Sequence, residues 1–327
     1  MMVGIDRRLL QNVDWPLLGA TLALVALSAT TLATLNVGRA GGGVALRQIF
    51  WFGLGLVALL VVASIDYRRL VRVAPLLYLT GLGVLVAVFL LGRTVSGARR
   101  WLLIGPISVQ PSELFKLCFV LMVVWFLSTR WAQPVGKTVL LAAAPLALVP
   151  AVLIVKQPDL GTALLLFPVL IALLVAAGIR LRILGGLVLM GLAAAPVAWL
   201  ALKDYQRDRI LVFLDPLRDP LGRAYNVIQA KIAIGSGQLL GKGVAGATQS
   251  RLAFLPERHT DFIFAVFAEM WGFVGCLVLI VAYGVLVLRG FEIAVGTREA
   301  RGRIIALGVT ALFAAQTLIN LGMVTGL

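Results

Sequence analysis

Histidine and cysteine are almost absent from this 327-residue sequence, which contains one His and two Cys. A structural zinc site needs four ligands, drawn mostly from these two residue types, so a His/Cys zinc site is excluded. Cys118 and Cys276 lie far apart, each within an apolar run, and we expect both to be buried, reduced thiols.

Charged residues are also scarce, at 13% of the sequence, whereas hydrophobic residues make up 61%. Soluble domains carry about 25% charged residues. The mean hydropathy of +1.02 and the repeated long apolar runs therefore predict an integral membrane protein.

Acidic residues are the rarer of the two charged kinds, 14 against 29 Lys and Arg, which gives a net charge of +15. Nucleic-acid binding is disfavoured because no basic stretch on a soluble segment is interleaved with aromatic residues. In a membrane protein such an excess more often reflects topology and contact with anionic membrane lipids.

The apolar runs predict nine membrane-spanning helices. Each is long enough, or nearly so, to cross about 30 Å of hydrocarbon, and none alternates as β-barrel strands do. We therefore predict an all-α, polytopic helix bundle that forms one membrane domain over residues 1–327. The predicted spans are 15–35, 46–65, 74–91, 112–128, 138–154, 160–178, 183–202, 260–288 and 303–324.

Lys and Arg in the short loops predict the orientation. The loops on the N-terminal side carry about twice as many as those on the opposite side, which favours a cytoplasmic N-terminus. Residues 203–259 then form a large extracytoplasmic loop between spans seven and eight. Within this loop, the spacing of apolar residues over Tyr225–Ile234 predicts a short amphipathic helix.

Asp261 is the strongest candidate for a chemical role, because it begins the eighth span, where ionisable groups are costly and often functional. The residue-based alternative, a carboxylate that only caps the helix, has about equal weight. His259 stands two residues away and would not share a helix face with Asp261. Glu269, two turns deeper, is expected to form a structural ion pair.

A second polar group opens the fourth span. Pro111 and Ser112 predict a helix start with Ser112 as the capping residue. Glu113 and Lys116 stand three residues apart, so they can pair on one helix face. A substrate site and a buried structural salt bridge are about equally compatible with this pair.

Several longer motifs resemble the SEDS family (shape, elongation, division and sporulation proteins), most closely its RodA branch. The resemblance extends from the first predicted span to the last. The motifs are SGARRWL (96–102), QPSELFK (110–116), KQPDLGTA (156–163), DYQRDRI (204–210), DPLGRAYNVIQAKIAIGSG (219–237), GKG (241–243), TQSRL (248–252) and LPERHTDFIFAVFAE (255–269).

This resemblance implies a peptidoglycan glycosyltransferase that transfers the growing glycan from undecaprenyl diphosphate to the 4-hydroxyl of lipid II. It implies the bacterial inner (plasma) membrane, an active site on the extracytoplasmic face and a class B penicillin-binding protein as transpeptidase partner. It also implies that the chain stops before a tenth helix. The family's essential acid falls on Asp261, and its substrate-binding positions fall on Arg47, Arg100, Glu113, Lys116, Gln229 and Lys231.

We expect Asp261 to act as general base, while basic residues neutralise the leaving diphosphate. Whether a divalent cation, Mg²⁺ or Mn²⁺, also takes part is left open by the sequence. Two alternatives remain open from the residues. A lipid II flippase would use the same cavity and charges, and a non-catalytic scaffold for the transpeptidase would need no base.

Overall fold

The computed structural model describes residues 13–35, 43–95, 98–104, 107–130, 136–180, 182–186, 225–247 and 259–326, with isolated positions between 187 and 224. Helices account for most of this part of the chain. They are α1 (Trp15–Leu35), α2 (Gly43–Ala63), α3 (Tyr67–Leu91), α4 (Pro111–Ser128), α5 (Lys137–Lys156), α6 (Leu160–Ala176), α7 (Tyr225–Ser236), α8 (Gly243–Gly246), α9 (Ile263–Gly296) and α10 (Ala300–Thr325).

Seven of these helices are long and apolar enough to cross a membrane: α1 to α5, α9 and α10. The eighth apolar helix, α6, has 17 residues, which is at the lower limit for a span. The predicted span at 183–202 lies mostly outside the described residues. An integral membrane protein built from helices is therefore confirmed, whereas the number of nine spans stays a prediction.

A small antiparallel sheet interrupts the helices, which the all-α prediction did not include. Its strands are β1 (Arg93–Val95), β2 (Ala98–Ile104) and β3 (Ile107–Val109), in the order β1-β2-β3. Arg93 pairs with Trp101, and Leu102 pairs with Val109. The β-branched and aromatic residues of this short connection favour extended backbone, and the two hairpins satisfy its hydrogen-bonding groups locally.

The chain divides into two compact units. The first contains Met1–Val61, Leu202–Arg289 and Asn320–Leu327, and the second contains Val62–Ala201 and Gly290–Ile319. The prediction of one domain over residues 1–327 stays a prediction.

The second unit has a large apolar core formed by α3 to α6 and the part of α10 that belongs to this unit. Phe115 and Phe119 of α4 are at most 2% exposed at its centre. Gly81 allows close packing because an added Cβ would lie 2.8 Å from the Phe115 ring. The Tyr78 hydroxyl donates a 2.8 Å hydrogen bond to the Leu146 carbonyl, which links α3 to α5.

The first unit has two smaller cores, both of which include the beginning of α9. In one, Ala230 and Ala233 of α7 pack with Phe262 and Ala265. In the other, Leu32, Leu35, Ala247, Val266 and Met270 pack together. The two cores together fix the position of the first turns of α9.

An ion pair closes one end of the second unit, where α3 begins and α10 begins. The Tyr67 hydroxyl donates to Glu299 at 2.7 Å, and the Arg68 guanidinium donates to the same carboxylate oxygen at 2.8 Å. The Tyr67 hydrogen bond first, and the Arg68 hydrogen bond and charge with it, hold the pKa of Glu299 below its ordinary value of 4.5.

Glu299→Gln is expected to lower the thermal midpoint at pH 7 by roughly 1–3 °C, because the exposed ion pair is lost. A carboxyl with a lowered folded-state pKa stabilises the fold above its unfolded pKa and loses that effect as the pH falls through the folded pKa. The difference from the parent should therefore shrink below pH 4.5. Melting curves across this pH range, with Arg69→Gln as the control, would test it. A difference that is constant with pH would contradict it.

Candidate active site

Asp261 lies in a turn over residues 259–262, directly before α9 begins at Ile263. Its side chain is exposed, whereas the next residue, Phe262, is only 7% exposed and packs against α7. The turn thus presents a carboxylate outward on a backbone that is anchored by a buried aromatic ring. The Asn320 side chain also approaches, since its Nδ2 lies 3.4 Å from the Asp261 carbonyl oxygen.

Helix α7 carries two more of the predicted site residues, and the prediction of a short helix at this position is confirmed. Ala230 and Ala233 are fully buried, and between them Lys231 is exposed. The side chain of Lys231 passes over the backbone of Gly326, at the end of α10. Gln229 is partly buried on the same helix. The structure thus brings α7 and the Asp261 turn together through apolar contacts.

The predicted pair on α4 is present in the second unit. Lys116 Nζ lies 2.7 Å from Glu113 Oε2 and 2.9 Å from Gln316 Oε1 of α10. Lys116 is 3% exposed, whereas the Glu113 side chain is 47% exposed. The ammonium is therefore almost completely buried and is held by two oxygens. Among the described residues, these use two of its three donors.

The beginning of α4 differs from the prediction. Gln110, not Ser112, occupies the capping position, with Pro111 at the first helical position. The Gln110 side chain donates instead to Asp159 at 2.8 Å and to the Ser112 hydroxyl at 3.1 Å. Asp159 caps α6 by accepting hydrogen bonds from the backbone and hydroxyl of Thr162. The prediction for Ser112 was wrong because proline favours the first helical position. With Pro111 there, the capping residue is the one before it, Gln110, and Ser112 lies within the first turn.

The structure places the two remaining basic candidates on other elements. Arg47 is exposed on α2, and Arg100 is partly buried on β2. The Arg100 Nε atom is buried and has no hydrogen-bond partner among the described residues. Glu257 lies outside the described residues. Glu269, expected to form an ion pair, is fully buried.

Gln316 is the site residue that sequence reasoning missed. It was present as a polar residue within the predicted span 303–324, which is a usable signal. Its partner, however, stands 200 positions earlier in the sequence. No local pattern joins two such residues.

No group of three or more His, Cys, Asp and Glu side chains suited to a metal ion occurs in the part of the chain that the structure describes. The carboxylates of the described residues therefore do not form a metal site whose ligands all come from the protein.

Residues 11–327 match the family of cell cycle proteins that comprises FtsW, RodA and SpoVE. The chain belongs to this family. The resemblance of the sequence motifs to this family is thereby confirmed.

Two relatives of this family show how close the similarity is. The chain is 41% identical over 314 residues to the peptidoglycan glycosyltransferase MrdB of Escherichia coli K12, covering 95% of this chain and 85% of that protein. It is 33% identical over 332 residues to the probable peptidoglycan glycosyltransferase FtsW of Alkalilimnicola ehrlichii, covering 97% and 82%.

Solved structures of the family have the same fold. One, described as the structural coordination of polymerization and crosslinking by a peptidoglycan synthase complex, has a TM-score of 0.81 at 32% identity and covers 97% of this chain and 88% of that one. The rod shape determining protein RodA of Thermus thermophilus has a TM-score of 0.69 at 30% identity, covering 95% and 85%.

Proposed function

We propose that this chain is a peptidoglycan glycosyltransferase that polymerises lipid II into glycan strands during cell elongation and the maintenance of cell shape. The single observation that carries this proposal is the family match over residues 11–327, with relatives that are named for this activity. The membrane helices agree with it, since lipid II is itself anchored in the membrane.

Asp261 acts as the general base in this proposal. Its carboxylate takes the proton from the 4-hydroxyl of lipid II, whose oxygen then bonds to C1 of the growing glycan. The bond between C1 and the diphosphate oxygen breaks, and undecaprenyl diphosphate leaves with the electron pair. Support comes from the exposed position of Asp261 in its turn, where a polar sugar can approach it.

The basic residues bind the diphosphate and offset its charge. Lys231 follows Ala230, which packs against Phe262 next to Asp261, so it is well situated for substrate binding. Arg47, Arg100 and Lys116 supply further positive charge, and Gln229 supplies an amide for hydrogen bonding. Glu113 orients the Lys116 ammonium through their 2.7 Å contact.

A divalent cation, Mg²⁺ or Mn²⁺, would bind mainly through the diphosphate oxygens, with at most one or two carboxylates from the protein. Bound there, it would reduce the charge that develops on the leaving group. The roles of Asp261 and Lys231 described above do not depend on it.

The active site faces the extracytoplasmic side of the bacterial inner (plasma) membrane, and the N-terminus is cytoplasmic. The bias of Lys and Arg among the short loops supports this orientation. A class B penicillin-binding protein is the partner. The complex with TM-score 0.81, which coordinates polymerization and crosslinking, supports this pairing.

The activity can be tested with the purified protein, its transpeptidase partner and labelled lipid II. Glycan chains resolved on a gel are the expected product. Lipid II that crosses the bilayer of a vesicle without forming polymer would instead indicate the flippase. No change in lipid II in either assay would indicate a scaffold that acts only through its partner.

A further inference from the structure

Helix α9 is not continuous, because Gly272 interrupts it with φ 64° and ψ −163°. Side chains rarely allow this backbone conformation, which is nearly restricted to glycine. A break in an apolar helix also frees backbone amides and carbonyls, which need other partners in a membrane. The break separates a short first segment, Ile263–Trp271, from the long remainder of α9.

The turn Gly237–Lys242, which follows α7, supplies those partners. The Phe273 amide donates to the Gln238 carbonyl at 2.8 Å, and the Val274 amide donates to the Leu239 carbonyl at 3.1 Å. In the opposite direction, the Lys242 amide donates to the Glu269 carbonyl at 2.9 Å. Three backbone hydrogen bonds therefore join the turn to both sides of the break.

Three glycines make this docking possible. A Cβ on Gly237 would overlap the Ala268 carbonyl oxygen, and one on Gly241 would overlap that of Met270. A Cβ on Gly272 would overlap the Gly241 amide nitrogen. By contrast, Gly235, just before the turn, has no atom within 4 Å of an added Cβ. Close backbone contact is thus confined to the turn and the break.

The short helix Ile263–Trp271 is held at both ends. At its start, Phe262 and Ala265 pack against α7. At its end, the turn after α7 is bonded into the break at Gly272. Helix α7 thus runs beside the short helix in the same direction. Its following turn lies about 15 Å beyond Asp261, the length of ten helical residues.

We propose that the turn Gly237–Lys242 is a positioning element for Asp261, and that Gly237 and Gly241 are its positioning residues. Because the turn is bonded into the break, it fixes the position of the short helix along the helix axis and its rotation about that axis. This placement directs the Asp261 carboxylate toward the acceptor hydroxyl. A displacement of about 1 Å at a reacting group can cost about 100-fold in rate. This inference rests on the proposed role of Asp261 as general base.

The sharpest test removes one hydrogen bond of the turn. Lys242 has φ −88°, near the range of proline. Lys242→Pro deletes the amide that bonds to Glu269 and places the proline Cδ against the same carbonyl oxygen, so the turn can no longer sit in the break as before. Lys242→Ala removes the same side chain but keeps the amide, and is the matched control. Gly237→Ala and Gly241→Ala test the close packing, because each adds a Cβ that would overlap the backbone of α9. Gly235→Ala is their control, because its Cβ would meet no other atom.

Two measurements decide the outcome. We expect Lys242→Pro, relative to Lys242→Ala, to increase hydrogen exchange across residues 263–274. We also expect it to lower kcat for lipid II polymerisation at least about tenfold, with little change in KM. The folded glycine variants should show the same pattern, whereas Gly235→Ala should not.

Parental kcat in the folded Lys242→Pro protein, with or without a lower melting temperature, would overturn the proposal and leave the turn a purely structural contact. Asp261→Asn is measured in parallel. If that variant stays active, the general base is wrong, whatever the turn variants show. If it is inactive while Lys242→Pro is fully active, only the positioning role is wrong.

Discussion

Asp261→Asn is expected to leave a folded protein that binds lipid II and hardly polymerises it. The amide is nearly the same size as the carboxylate but cannot accept the proton of the sugar hydroxyl. General-base help is typically worth about 10²–10⁴-fold, so a loss in kcat of this order is expected. Folding should be little affected, because the Asp261 side chain is exposed and the anchoring Phe262 is unchanged.

The measurement is glycan formation from labelled lipid II by equal amounts of folded protein, together with a melting curve. Glu292→Gln is the control, since it makes the same change from carboxylate to amide at an exposed residue near the other end of α9. If Asp261→Asn polymerised at the parental rate and melted at a lower temperature, Asp261 would be the helix-capping acid. That result would remove the base from the mechanism.

Replacing Glu113 is expected to destabilise the protein much more than replacing its partner, Lys116. Glu113→Gln leaves a buried ammonium without its counter-charge, and breaking a buried ion pair in this way costs about 3–5 kcal/mol. Because Glu113 is itself 47% exposed, we expect the lower end, a fall of roughly 5–10 °C in the melting temperature. Lys116→Met should cost much less, since water can solvate the Glu113 carboxylate that remains.

The double variant, Glu113→Gln with Lys116→Met, separates structure from function. It removes the buried charge, so its melting temperature should return toward the parental value. If the Lys116 ammonium also binds the diphosphate, the stable double variant should polymerise at least about tenfold more slowly. A stable double variant with full activity would show that the pair is only structural.

Much of the fold could be predicted from the sequence, because the controlling signals are local. Long apolar runs predict helices such as α5 and α9, because a segment that crosses the hydrocarbon of a membrane must form its backbone hydrogen bonds within itself. The spacing of Glu113 and Lys116 likewise predicts their contact from helix geometry alone. The longer motifs, among them the one around Asp261, identified the family, and the match over residues 11–327 confirmed it.

Other features could not be predicted, because their partners are distant in the sequence. Gln316 meets Lys116 across 200 residues. The Gln110 side chain before α4 donates to Asp159, which lies 49 residues away. The pairing of β1, β2 and β3 depends on backbone hydrogen bonds formed where the chain folds back between α3 and α4.

The glycines where the turn after α7 meets α9 show most clearly which features are local in the sequence and which depend on the tertiary structure. The sequence alone determined that Gly237, Gly241 and Gly272 are present, that α7 is a helix and that Asp261 begins a membrane segment. Only the tertiary structure decided that the turn fills a break in α9, because that contact needs the backbones of the turn and of α9 to meet without side chains between them. Composition and periodicity determine which secondary structure each segment can form, whereas close packing determines which segments contact one another.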